Sequence, residues 1–152
     1  MHLSAADAKK LCTRAIKTLG LSAEDTAAVA DNILDAGMRM PGGFARFIAV
    51  TDQIKANKKP KPMRVLKHTP VSALIDGAGQ HGYVVAGRVA RLAIEKAKKR
   101  GFAIVGAHNT MNTGALAYYA DLAARAGLVA MTVGTSRPQL APLGSSEALL
   151  GT

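Results

Sequence analysis

A chain of 152 residues in which 49% of positions are hydrophobic and 20% charged has enough apolar material for a continuous core and too much to stay disordered. No apolar run approaches the roughly 20 residues that a bilayer-spanning helix needs, Met1-His2-Leu3-Ser4 lacks the basic-then-apolar order of a secretory signal, and the single cysteine, Cys12, allows no intramolecular disulfide framework. A cytoplasmic protein with no membrane partner is expected, and the formal charge of +10 is its one unusual bulk property.

The N-terminal part reads as helices. Ser4 with Asp7 is a helix-start signature of the capping-box type, and Leu11, Ala15 and Leu19 mark an apolar stripe that ends at Gly20. Cys12 sits on this helix as a small core residue. Ser22 with Asp25 opens a second helix carried by Ala27, Val29, Ala30, Ile33, Leu34 and Met38, which stops before Pro41-Gly42-Gly43. A third helix is predicted over 44–56, with Phe47, Ile48, Val50 and Ile54 buried.

Lys55, Lys58, Lys59, Lys61, Arg64 and Lys67 form a basic cluster that Pro60 and Pro62 interrupt, which predicts a loop. A second basic cluster, Lys96, Lys98, Lys99 and Arg100, closes a helix, where cations complement the dipole. Neither cluster has interleaved aromatics, so no nucleic-acid partner is expected. Beyond the loop, strands are predicted over 71–75, 102–105 and 128–133, alternating with helices over 84–99 and 115–126 that Gly101 and Gly127 close. The fold class is α/β, with an N-terminal helical subdomain and its basic loop over 1–68 and a partial cofactor- and substrate-binding α/β domain over 69–152. Leu149-Leu150-Gly151-Thr152 brings no closing helix or polar tail, so the chain is expected to be the N-terminal portion of a longer fold or one piece of a split enzyme.

Asn109-Thr110-Met111-Asn112-Thr113-Gly114 follows an apolar run and precedes an alanine-rich helix containing Tyr118 and Tyr119. Such strand-to-helix corners are where α/β proteins place ligands. Gly77, Gly79 and Gly82 also follow a strand and precede a helix, but no acidic ribose binder lies about 20 residues further on, so they are expected to serve a tight turn and close packing. His81, within that turn, reads as a surface residue. His2 and His68 have no partner in the sequence pattern, and no histidine, carboxylate or cysteine pair has metal-ligand spacing; no metal is expected.

Taken in order, these words resemble the malate/L-lactate dehydrogenase family, a non-Rossmann group that includes ureidoglycolate, sulfolactate and diketogulonate oxidoreductases. Pro41-Gly42-Gly43-Phe44-Ala45-Arg46 stands in place of its Ser-His-Gly-x-x-Arg, and Asp76-Gly77-Ala78-Gly79-Gln80-His81-Gly82 matches its glycine-rich strand end. Glu95-Lys96-Ala97-Lys98-Lys99-Arg100-Gly101 matches its Lys-Ala-Lys helix end. Residues 109–114 are similar to its Asn-Ser-x-His-x-Gly; Ser136-Arg137-Pro138, Ala141-Pro142-Leu143-Gly144 and Gly151-Thr152 follow.

The resemblance implies an NAD- or NADP-dependent oxidoreductase acting on a small carboxylate, a 2-oxo, 2-hydroxy or 2-imino acid, with principal cofactor contacts beyond Thr152. It makes Arg46 the carboxylate clamp and Ser136 a substrate or cofactor contact. Gly42 and Asn112 stand where the two motif histidines belong. Asparagine can hydrogen-bond a substrate oxygen but cannot exchange a proton near neutral pH, so Asn112 is assigned orientation and His108, at the end of the preceding strand, or water is assigned the proton. A homodimer or a complementing C-terminal segment is the expected partner. The alternative is a non-catalytic binding or regulatory module, or a truncated remnant of the family.

Overall fold

The computed structural model describes residues 3–40, 42–57, 61–136 and 138–151. Readings that involve His2, Pro41, Lys58, Lys59, Pro60, Arg137 and Thr152 lie outside the described residues.

Among the described residues, five α-helices and a three-stranded sheet form a mixed α/β fold. Helices α1 (Ala5–Lys17) and α2 (Ala23–Arg39) both start on reciprocal serine–aspartate caps. Asp7 N–H donates to Ser4 Oγ at 3.1 Å, and Asp25 N–H to Ser22 Oγ at 3.1 Å. Each such cap stabilises its helix by roughly 1 kcal/mol. A 3-10 turn (Gly43–Ala45) leads into α3 (Arg46–Ala56).

The core joins these helices to the start of a fourth. Cys12 and Ile16 of α1 pack with Val29, Ala30 and Ile33 of α2, Val50 and Ile54 of α3, and Tyr83 and Val84 of α4 (Gly82–Arg100). Cys12 is therefore a core residue, and burial pushes its thiol pKa up. The buried face of α1 lies one position beyond the expected stripe: Leu11 and Ala15 are exposed, while Cys12 and Ile16 are buried. Ala27, Met38 and Ile48 also turn outward, and Thr51 takes an inward position on α3. Apolar character alone does not choose between neighbouring faces of a helix; contact with the other helices does.

Strand β1 (Arg64–His68) pairs antiparallel with β2 (Ser72–Asp76), which pairs in parallel with β3 (Ile104–His108). The segment 64–68 is thus an edge strand rather than loop. All five of its residues are exposed, so it lacks an inward apolar face, and charged side chains are typical of an edge that must resist further pairing. The β2–β3 crossover is α4, closed by Gly101 at φ +81°. Helix α5 (Leu116–Arg125) follows β3.

The strand expected over 128–133 has no ladder partner among the described residues. Val129, Met131 and Val133 keep the alternation that predicts a strand, yet they are 103%, 89% and 80% exposed. A strand exists only through hydrogen bonds to a neighbour, which its own alternation does not supply. Beyond it, the described residues of 134–151 contain one bridge, between Leu140 and Leu150. Among the described residues, no helix is long and apolar enough to cross a membrane.

Candidate functional site

The parallel pairing places Asp76 opposite His108, so β2 and β3 finish together. The two loops that leave them are laced to one another. Gly77 N–H donates to His108 O at 2.9 Å, Gly79 N–H to Asn109 O at 2.8 Å, and Met111 N–H to Gln80 O at 3.2 Å. Thr110 Oγ1 donates to the same Gln80 carbonyl at 3.1 Å.

Glycine is required where the loops touch. A Cβ at Gly77 would lie 2.9 Å from Asn109 O, and one at Gly82 would overlap the carbonyls of Met111 and Asn112. Gly79 turns at φ +72°. The amides of the turn are spent internally: Ala78 N–H goes to Asp76 Oδ1, Gly79 N–H to Asn109 O and Gln80 N–H to Gly77 O. A Rossmann turn cradles a pyrophosphate with free amides and a helix N-terminus. This turn has committed those amides and does not fit that role.

Asp76 anchors the lacing. Its Oδ1 accepts from Ala78 N–H at 2.9 Å and Asn109 Nδ2 at 2.8 Å, and its Oδ2 from Arg64 at 3.1 Å. These donors, the Ala78 amide foremost, hold its pKa down to about 2. Asn109 adopts φ +51°, a left-handed conformation that asparagine tolerates better than most residues.

His81 is buried, not on the surface. Its Nδ1 accepts the Tyr83 amide at 3.4 Å and so caps α4, which leaves Nε2 to donate to Gln53 Oε1 at 3.0 Å. Burial pushes its pKa down to about 4, so the imidazole is neutral at pH 7.

Tyr83 joins the two halves of the candidate site. Its hydroxyl lies beside the Arg46 guanidinium, which offsets part of the rise that burial imposes on the phenol. Its ring fills the space against Gly114, where a Cβ would overlap the phenol. Arg46, the first residue of α3, therefore meets the 112–114 turn across one tyrosine. Asn112 is exposed, and its Oδ1 accepts Gly114 N–H at 2.8 Å. Tyr119 Oη donates to Thr113 O at 2.6 Å and braces the same turn.

The other two expected site residues stand differently. His108 is exposed at the end of β3 and contributes its carbonyl to Gly77. Ser136 is exposed and lies against Gly151, where a Cβ would overlap its Oγ. Tyr83 falls just before the helix expected over 84–99 and had no role in the sequence pattern; the only signal of its place between Arg46 and Gly114 was its position directly after the glycine turn. No group of three or more His, Cys, Asp or Glu residues able to hold a metal occurs among the described residues.

Known proteins agree with this architecture. A family model described as malate/L-lactate dehydrogenase matches residues 3–152. The chain is 34% identical to the L-sulfolactate dehydrogenase of Methanocaldococcus jannaschii, with 100% of this chain and 45% of that protein covered. It is 29% identical to the ureidoglycolate dehydrogenase (NAD(+)) of Escherichia coli K12, with the same two shares covered. The solved structure of malate dehydrogenase from Pyrococcus horikoshii OT3 superposes with a TM-score of 0.83 at 35% identity, covering 99% of this chain and 44% of that one. The chain belongs to the malate/L-lactate dehydrogenase family. It spans less than half the length of these relatives.

Proposed function

We propose that the chain carries the carboxylate-binding side of an NAD- or NADP-dependent oxidoreductase for a small 2-oxo, 2-hydroxy or 2-imino acid. The observation that carries this reading is Arg46 set beside Tyr83 at the 112–114 corner, in a chain whose relatives bear the names of sulfolactate, malate and ureidoglycolate dehydrogenases. The nicotinamide cofactor supplies or accepts the hydride. The chain's own residues bind, orient and handle protons.

Arg46 holds the substrate carboxylate through its planar donors. Asn112 has its Oδ1 tied to Gly114, so its Nδ2 end is the one that donates to the substrate oxygen. The proton is handled by His108 or by water, because His81 is locked as a neutral cap and burial raises the pKa of Tyr83, Tyr118 and Tyr119. An imine substrate that arrives protonated needs least from a general acid, whose loss costs about 10²–10⁴-fold in rate. Ser136 contacts substrate or cofactor from the loop after 128–133. A second copy of the chain, or a complementing C-terminal segment, completes the enzyme in the cytoplasm.

NADH and NADPH are titrated into the purified chain, alone and with a segment supplying the remainder of the family fold. Absence of binding in both settings defeats the proposal. With activity in hand, Arg46→Ala raises KM for the 2-oxo acid about 10- to 100-fold, the loss of a charged hydrogen-bonding pair. Asn112→His raises 2-oxo-acid reduction.

A further inference from the structure

A second hollow opens at the strand ends, apart from the Arg46 corner. It is a cleft of about 800 Å³ whose walls include Asn57, Lys61, Arg64, Asp76, Asn109 and Met111; Arg46, Asn112 and Ser136 are not among its lining residues. The size lies within the range of small-molecule sites. Its place follows from topology. Asp76 closes β2 and Asn109 follows β3, and the carboxyl ends of parallel strands are where open α/β sheets take ligands.

The charges there are arranged rather than scattered. Antiparallel pairing sets Arg64 opposite Asp76, and Asp76 Oδ2 accepts one guanidinium nitrogen at 3.1 Å. Asp76 is in turn fixed by the Ala78 amide and Asn109 Nδ2. Yet 72% of the Arg64 side chain stays exposed, which leaves its other N–H donors available to a ligand. Lys61 also lines the cleft, and its ammonium makes no ion pair among the described residues. Two cations thus share a cleft with one carboxylate, and that carboxylate is already satisfied by three donors. A braced guanidinium that shares a cleft with an ammonium is suited to gripping the oxygens of an oxyanion.

We infer that this cleft is a second anion-binding site, distinct from the Arg46 corner, which takes a carboxylate or phosphate group on Arg64 and Lys61, with Asp76 positioning Arg64. The inference does not rest on hydride transfer: a failed NADH titration leaves it standing, and its own failure leaves the Arg46 corner standing.

The test is calorimetric titration, at low ionic strength, of the purified chain carrying Arg46→Ala, which removes the proposed carboxylate clamp, with two probes, inorganic pyrophosphate and malonate. Saturable binding of one probe per chain is expected. Preference for pyrophosphate assigns the site to a phosphorylated ligand, and preference for malonate assigns it to a carboxylate. Lys61→Gln removes an exposed charge without touching the core and weakens binding about tenfold or more, as expected for a charged hydrogen bond. Arg64→Lys keeps the charge, loses the planar fork and weakens binding similarly. Absence of saturable binding with either probe overturns the inference. So does equal affinity with and without Lys61→Gln.

Discussion

Replacing Gly114 by alanine tests whether the corner is held by the fit of Tyr83 against the turn. Gly114 sits at φ +74°, and a Cβ there would overlap the Tyr83 phenol. Two costs follow. A left-handed conformation costs a side-chain-bearing residue roughly 1–2 kcal/mol, and forcing a methyl into packed space costs about 1–3 kcal/mol. Gly127 separates them, because it has φ +77° and nothing within 4 Å of a Cβ; Gly127→Ala incurs the first cost alone. For a chain of this size each kcal/mol lowers Tm by about 2–4 °C. Calorimetry should therefore show Gly127→Ala down by about 2–8 °C and Gly114→Ala by about 4–20 °C. In a Tyr83→Leu background the excess should shrink, since the group that the methyl strikes is gone. Equal falls in the two single variants, or an excess unchanged by Tyr83→Leu, would refute the packing account.

Three further outcomes are expected. Burial lowers the His81 pKa from 6.5 to about 4, so the unfolded chain binds its proton first as pH falls; stability is full above 6.5 and declines as pH drops towards 4. His81→Asn retains a capping acceptor and should flatten urea-unfolding stability across that window; slopes parallel to the parent would show that His81 does not set them. Asp76 is depressed from 3.8 to about 2, so its contribution is present above 3.8 and is lost as pH falls through 2. Acid denaturation of Asp76→Asn should lack that limb. For the proposed reaction, His108→Gln should lower kcat about 10²-fold or more if the imidazole relays the proton; an unchanged kcat hands that step to water.

What could be read from the chain depended on whether the deciding contact was local. The starts of α1 and α2 were legible because each cap lies within one helical turn, Ser4 with Asp7 and Ser22 with Asp25. The ends at Gly101 and Gly127 were legible because a left-handed residue closes both helices. Strand β1 was not, since its exposed, charged face imitates a loop. Residues 128–133 erred the other way: their alternation is a strand's, but pairing is decided by a neighbour that alternation does not encode. His81 read as surface because a histidine among glycines resembles a turn residue; Gln53 on α3 and the amide of Tyr83 make it a buried cap. At the site, the sequence pattern placed Arg46 and the 109–114 turn as separate words. Only folding sets Tyr83 between them.

The shape of the corner depends little on the side chain at position 112. Nearly every bond that fixes it runs through the backbone: the carbonyls of His108, Asn109, Gln80 and Thr113 accept from Gly77, Gly79, Met111, Thr110 and Tyr119. The remaining constraints are glycines without room for a Cβ and the buried Asp76 carboxylate. Position 112 contributes one side-chain bond, from Gly114 N–H to Asn112 Oδ1, which closes its own turn. The scaffold and the side chain presented at position 112 are therefore carried by different atoms. Replacement of the residue at 112 changes what the corner offers a ligand while the lacing stays intact, so an activity change in Asn112→His reports on chemistry rather than on folding.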